Sequence, residues 1–320
     1  MQQHPDSYTA TLALEPTEPV GERAGDTAST LGRWIAAARP KTLLLAATPV
    51  VGGIALAVAD TGRLAPLVAL TTLAAALAIQ IGTNLHNDAA DFERGTDTPE
   101  RVGPPRATAQ GWFSARQVRT AAHLTFGLAF LLGLFLVARG GWPIFTIGVA
   151  SLVSGYAYTS GPRPIAYGPF GEVYVLAFFG LASVAGSYYL QTLTLNWPAL
   201  LLGLALGLPA AAVLLLNNYR DLETDRAAGR RTLCQVVGRP QARVLYALLL
   251  LLPPVLVLGA GLPGATWVGL GALPLALVLI ARLYRGARGA ALNTMLGQTG
   301  LYQALLTLLL IGGFALGGRT

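Results

Sequence analysis

The sequence is short of what a water-soluble chain of its length carries. Only 12% of its 320 residues are charged, about half of the roughly 25% usual in soluble domains, too little to cover a water-facing surface. One cysteine, Cys234, excludes an internal disulfide, and a small buried apolar residue is its expected role. The three histidines, His4, His86 and His123, form no set at zinc-ligand spacing with it. No Gly-rich run ends in Lys-Ser or Lys-Thr, which removes the common nucleotide-phosphate cradle. The first residues lack a basic start followed by an apolar core, so no cleavable signal is expected. Residues 1–30, rich in Pro, Thr, Glu and Asp, read as a flexible polar tail ahead of one membrane domain over residues 31–320.

What is abundant is apolar. Hydrophobic residues make up 53% of the chain and the mean hydropathy is +0.55, so the bilayer is the expected main solvent. Crossing the hydrocarbon takes about 20 apolar residues per helix. Nine such runs are expected, near 34–59, 66–87, 115–138, 142–159, 172–191, 197–217, 242–261, 264–282 and 296–317. They are too long and too continuously apolar for barrel strands, and only helices and closed barrels satisfy the backbone in lipid. An all-α integral membrane protein follows, a bundle of nine transmembrane helices. Trp34, Trp112, Trp142, Trp197 and Trp267 fall at or near span ends, where amphipathic rings prefer to sit. Gly203-x-x-x-Gly207 offers a close approach of two helices.

A net charge of +7 would suggest nucleic acid in a soluble protein, but here the distribution decides, and no nucleic-acid partner is expected. If the amino terminus defines one side, every basic residue except Arg63, Arg139 and Arg319 lies on that side. Basic excess marks the cytoplasm, so the amino terminus is inside and the carboxyl terminus is on the opposite side. Asp60 is the only acidic residue on the outer side. Acidic residues contribute little to orientation, so their clustering points instead to a site opening on the cytoplasmic face of the inner membrane.

Two clusters concentrate that charge. The first closes the second span: Asn84, His86, Asn87, Asp88 and Asp91, continuing to Gly95 and Asp97. On a helix, Asn84 and Asp88 share a face, as do Asn87 and Asp91. The second closes the sixth span: Asn217, Asn218, Arg220, Asp221, Glu223 and Asp225, with Asn217, Asp221 and Asp225 forming one stripe. Crowded carboxylates repel unless a cation or proton neutralises them. Hard oxygen ligands with amide neighbours suit Mg²⁺, which is usually held by one or two carboxylates and substrate phosphate oxygens. Nearby arginines, including Arg94, Arg101, Arg106, Arg220, Arg226, Arg230 and Arg231, supply donors for a diphosphate. A lone His86 in this setting reads as a hydrogen-bonding neighbour rather than a ligand, and His123 as structural.

A charged diphosphate bound at the mouth of an apolar bundle suits a substrate with one charged and one greasy end, such as a prenyl diphosphate. Metal and arginine would stabilise the departing diphosphate, and the apolar interior would shield the allylic cation from water.

The chain resembles the UbiA superfamily of intramembrane prenyltransferases over about residues 33–317, and within it the 1,4-dihydroxy-2-naphthoate branch of menaquinone biosynthesis. The resemblance rests on Ala38-Arg39-Pro40-Lys41-Thr42; on Asn87-Asp88-x-x-Asp91 running into Gly95-x-Asp97 and Gly103-Pro104-Pro105-Arg106; on Tyr158-Thr159-Ser160-Gly161-Pro162-Arg163-Pro164 with Gly171-Glu172; and on Asn217-Asn218-x-Arg220-Asp221-x-x-x-Asp225-x-x-x-Gly229-x-x-Thr232-Leu233. It implies a nine-helix bundle, Mg²⁺ dependence, and transfer of a polyprenyl chain from its diphosphate to dihydroxynaphthoate with loss of CO₂, giving demethylmenaquinone. By motif match, Asn87, Asp91, Asp221 and Asp225 are the principal metal–diphosphate residues, with Asp88, Asp97 and Asn217 beside them. One departure stands out: the position four beyond Asp91, often Asp elsewhere in the superfamily, is Gly95, and Asp97 follows two residues later, as this branch tends to have it. Arg106 and Arg230, with Arg94, are the phosphate-clamp candidates. Lys41 faces either the diphosphate or the acceptor carboxylate, or is an ordinary interfacial lysine. Tyr158 is an acceptor-positioning candidate or an interfacial tyrosine. Glu172 is a minor candidate, since a carboxylate suits a helix amino terminus in any case.

Two other readings remain open. A sister enzyme would transfer phytyl to the naphthoate or prenyl to 4-hydroxybenzoate. A cation-coupled transporter would use the same carboxylates, but such sites usually lie near the midplane on broken helices, and both clusters here fall at one face.

Overall fold

The computed structural model describes residues 29–95, 103, 105–262, 267 and 269–317. Among them all regular structure is helical. Asp97, Arg101 and residues 1–28 of the expected tail lie outside the described residues.

Ser29 caps α1 (Thr30–Ala38), its hydroxyl accepting the Gly32 amide at 3.1 Å. Arg39 then takes a left-handed conformation, φ 56°, and Pro40 opens α2 (Pro40–Thr61). The run expected near 34–59 is therefore two helices. Proline disfavours the α conformation in the residue before it, and that is where the chain breaks. After α3 (Pro66–Glu93), a capping box of Ser114 and Gln117 starts α4 (Ala115–Ala157). Two expected spans are its two limbs, meeting at Gly141, whose φ of 64° and ψ of −149° interrupt the helix. Next come α5 (Gly171–Thr192), with a π-helical stretch at Leu176–Ala182, and α6 (Trp197–Arg220). The short α7 (Leu222–Ala227) precedes α8 (Leu233–Gly259), which bends at Gly238, and then come α9 (Gly269–Tyr284) and α10 (Ala290–Leu316). Seven of these helices, α2 to α6, α8 and α10, are long and apolar enough to cross a membrane, and α9 is a shorter apolar helix.

The centre of the bundle is α6. It is apolar on every side, as a fully surrounded helix must be, and Leu202, Ala205, Leu206, Ala212, Leu215 and Leu216 are all buried in the main core. Its glycines allow a close neighbour: a Cβ on Gly207 would lie 2.7 Å from the Gly180 Cα of α5. Gly203-x-x-x-Gly207 therefore does what its spacing suggests. Cys234 is fully buried, its thiol donating to the Leu215 carbonyl at 3.3 Å. Large apolar side chains cover much of the outside, Leu124, Leu131 and Leu308 among them, as expected of surface solvated by lipid. Trp142, Trp197 and Trp267 are exposed.

Candidate active site

α3 and α6 both run apolar for most of their length and turn polar in the last turns, and those turns face one cavity. Asn87 and Asp91 from α3, and Asn217, Asp221 and Asp225 from the end of α6 and α7, line one cavity of about 1350 Å³. Arg106, Arg230, Lys41 and Tyr158 line it too. From this polar end it continues between apolar walls that include Phe130, Val137, Ile147 and Phe179.

The two clusters are physically joined. Arg230 donates from Nη2 to Asp91 Oδ1 at 3.0 Å and from Nη1 to Asp225 Oδ1 at 3.4 Å. Asp91, buried, also accepts from Arg106 Nη2 at 2.8 Å. Asp221 is held by its neighbour Arg220, with Nε–Oδ1 at 2.7 Å and Nη2–Oδ2 at 2.5 Å. Arg220 also donates to Asn217 Oδ1 at 2.9 Å and to Asn293 Oδ1 of α10 at 2.6 Å. Each of the three cavity-lining aspartates thus has a guanidinium partner. Burial works against the Arg230 charge, but Asp91 and Asp225 outweigh it and hold its pKa above the ordinary value.

Asp88 does something else. It does not line the cavity; its carboxylate accepts from the Ala107 amide at 2.8 Å, the Thr108 amide at 3.1 Å, and the Thr108 hydroxyl. Gln80, Asn84, Asn87 and Asp91 make the cavity face of α3, and Asp88 sits at its edge, within reach of the loop after Arg106. Arg94 is likewise outside the lining; it donates to the Thr159 carbonyl and lies over the Tyr167 ring, 5.7 Å from the centroid. Lys41 is exposed at the cavity mouth. The Tyr158 hydroxyl has its pKa pushed above the usual tyrosine value, first by burial and then by Glu172. Glu172, buried, accepts from Asn218 Nδ2 at 2.9 Å. His86 meets the Ser160 hydroxyl at 2.7 Å and stacks on Tyr156, a hydrogen-bonding neighbour as its setting suggests.

Residues 46–316 match the UbiA prenyltransferase family. The chain belongs to that family. It is 37% identical over 297 residues to the 1,4-dihydroxy-2-naphthoate octaprenyltransferase of Mycobacterium tuberculosis, an alignment covering 90% of this chain and 99% of that one. It is 41% identical over 225 residues to the enzyme of the same name from Escherichia coli, covering 68% and 72%. A solved UbiA homologue from Archaeoglobus fulgidus, bound to DMAPP and Mg²⁺, has the same fold, with a TM-score of 0.62 at 14% identity over 89% of this chain and 99% of that one. The chain is therefore a multi-pass membrane prenyltransferase.

Among the described residues, no three or more His, Cys, Asp or Glu side chains form a group that could hold a metal ion. The donor set instead fits the mode in which Mg²⁺ takes one or two carboxylates and completes its shell with phosphate oxygens. Asp91, Asp221 and Asp225, flanked by the amides of Asn87 and Asn217, have the right chemistry and line one cavity. Sequence reasoning missed Thr159, whose hydroxyl donates to Asn87 Oδ1 at 2.7 Å, Asn293, and Tyr167. Asn293 arrives from α10 with no local pattern to announce it. Thr159 stands inside a quoted motif but looks like a solvated loop residue.

Proposed function

We propose that the chain transfers a polyprenyl group from its diphosphate to 1,4-dihydroxy-2-naphthoate, releasing diphosphate and CO₂ and forming demethylmenaquinone in its reduced, hydroquinone form. One observation carries the reading: Asp91 and Asp221, far apart in the sequence, line the same cavity, whose polar mouth opens into an apolar groove. Such a space suits a molecule with a diphosphate head and an isoprenoid tail. The names of the mycobacterial and enterobacterial relatives support the acceptor.

In this reading Asn87, Asp91, Asn217, Asp221 and Asp225 are the oxygen donors for Mg²⁺, and Arg106, Arg230 and Arg220 are the cations for phosphate oxygens. Asp88 and Asp97 are the weaker metal candidates; Asp88 is engaged with the 107–108 backbone. Bound Mg²⁺ would supply charge neutralisation for the leaving diphosphate. The chain itself fixes the diphosphate at the polar end, so that the allylic C–O bond breaks beside an apolar, water-poor groove. The electron-rich naphthoate ring takes the allylic carbon, and its carboxylate departs as CO₂. Lys41 at the mouth meets the acceptor carboxylate or the diphosphate, and Tyr158, kept neutral, positions the acceptor ring. The two limbs of α4 and the α9 segment bring the membrane crossings to nine, with the amino terminus and the site on the cytoplasmic side of the inner membrane and the carboxyl terminus opposite.

The test is product analysis by mass spectrometry. Purified protein in lipid is incubated with Mg²⁺, a mixture of polyprenyl diphosphates and each acceptor in turn. Prenylated, decarboxylated naphthohydroquinone, recovered as the quinone after oxidation by air, is expected, and chelation should abolish it. Product from 4-hydroxybenzoate alone would overturn the acceptor. Proteoliposomes that move ions while forming no prenylated product would overturn the enzyme's role for the site.

A further inference from the structure

The connection between α4 and α5 touches both acidic clusters at once. Its single 3₁₀ turn, Ile165–Tyr167, presents the Tyr167 ring to two guanidiniums. Arg230 has its Cζ 4.8 Å from the ring centroid and Arg94 has its own at 5.7 Å. Both distances are within the roughly 6 Å at which a cation is attracted by an aromatic face. The two arginines come from opposite halves of the site: Arg94 follows the α3 cluster and Arg230 follows the α7 cluster. The backbone adds a second tie, for the Arg231 amide donates to the Tyr167 carbonyl at 2.9 Å. On the α3 side, the Thr159 hydroxyl of the same connection donates to Asn87.

Arg230 needs such a tie. A long side chain loses much rotamer freedom when it is held in one geometry, and its contact to Asp225 is long at 3.4 Å. Tyr167 is not among the residues lining the cavity, so it acts on the site only through what it holds. We propose that Tyr167 is a positioning residue for Arg230, its aromatic face keeping the guanidinium between Asp91 and Asp225, where a diphosphate is to bind. This rests on the proposed function, because it takes the ligand of Arg230 to be the diphosphate of the prenyl donor. The competing reading is that the ring merely fills space in the loop.

The two separate by removing the aromatic face while keeping the bulk. Three readouts apply to the full-length protein in lipid: calorimetric binding of inorganic pyrophosphate with Mg²⁺, steady-state KM for each substrate, and the melting temperature. Tyr167→Leu should raise the pyrophosphate Kd and the KM for polyprenyl diphosphate about tenfold, in line with a partly desolvated cation–π contact, with the acceptor KM and melting temperature unchanged. Tyr167→Phe should restore wild-type values. On an Arg230→Ala background, Tyr167→Leu should cost nothing further. Where Tyr167→Leu does not fold, phenylalanines of increasing fluorination at position 167 withdraw ring electron density at nearly constant shape, and Kd should climb with each step. A Kd within twofold of wild type in Tyr167→Leu, a flat fluorination series, or an equal loss on the Arg230→Ala background would overturn the inference. If the wild type binds pyrophosphate with this coupling but makes no prenylated naphthoate, Tyr167 keeps its role and the acceptor assignment fails instead.

Discussion

Arg230 reaches Asp91 across 139 residues of sequence, its Nη2 3.0 Å from Oδ1. That contact closes the gap between the two acidic clusters and makes their loops one site. It also sets the charge balance, since Asp91 is shared between Arg230 and the buried Arg106. Removing a partner from a buried pair leaves an uncompensated charge and costs about 3–5 kcal/mol, so the Asp91 variant must be chosen with care.

Asp91→Asn and Asp221→Ala are each expected to lower prenyl transfer by at least about 10²-fold, the scale of losing one preorganised electrostatic contact to the reacting centre. Asp221→Ala should leave a folded, membrane-inserted protein of lower melting temperature, because it strips the carboxylate from the buried Arg220 guanidinium, which keeps the Asn217 and Asn293 oxygens. Product formation and the melting temperature in detergent check both. Near-wild-type turnover in either variant would remove that residue from the site.

Asp88→Ala should behave differently from Asp91→Asn although the two positions share a motif. Its carboxylate anchors the Ala107 and Thr108 amides, and hydrogen bonds to a charged group contribute about 1.5–3 kcal/mol each. The variant should therefore lose stability and, with it, activity, while the Mg²⁺ concentration for half-maximal rate in the surviving protein stays as in the wild type. A Mg²⁺ titration at a temperature well below melting measures this. A large rise in the Mg²⁺ requirement with unchanged melting would make Asp88 a metal residue after all.

Much of this site could be read from the chain. Long apolar runs ending in Asn and Asp mark α3 and α6, because two clusters of carboxylates and amides at the ends of membrane-spanning helices point to a shared polar site. Three features escaped for physical reasons. The roles of Asp88 and Asp91 depend on which loop packs beside α3, and a helical wheel does not contain that loop. Asn293 reaches Arg220 from a helix 73 residues further on. The break at Arg39 depends on one proline inside a run whose hydropathy alone reads as continuous. The runs expected near 115–138 and 142–159 are the two limbs of α4, which meet at Gly141, a residue with positive φ.

Gly207→Ala should destabilise the fold by about 1–3 kcal/mol, the usual cost of overpacking a tight contact. The added methyl would lie 2.7 Å from the Gly180 Cα, a backbone atom that cannot swing away. Gly127→Ala in α4 is the control: nothing lies within 4 Å of its added Cβ, and alanine is the better helix former by about 1 kcal/mol. Reversible unfolding of both variants in mixed micelles should therefore give shifts of opposite sign. Equal, small shifts would mean that α5 and α6 do not pack through these glycines.

Tyr158 gives the pH dependence. Burial and the nearby Glu172 raise its pKa above the ordinary value, which is about 10. The phenol therefore stays neutral across the range in which the enzyme is assayed, and Tyr158→Phe should leave the shape of the rate–pH profile unchanged up to about pH 9.5 while raising the acceptor KM. For stability the sign is the reverse of a salt-bridged carboxylate. Above the unfolded-state value of about 10 the unfolded chain releases its proton first, so native stability contributed by the neutral phenol is full below that pH and falls as pH rises through it. Melting temperatures of wild type and Tyr158→Phe between pH 8 and 11 test this: the wild type should lose stability more steeply at the alkaline end, and parallel curves would show that Tyr158 ionises as freely in the folded protein as in the unfolded one.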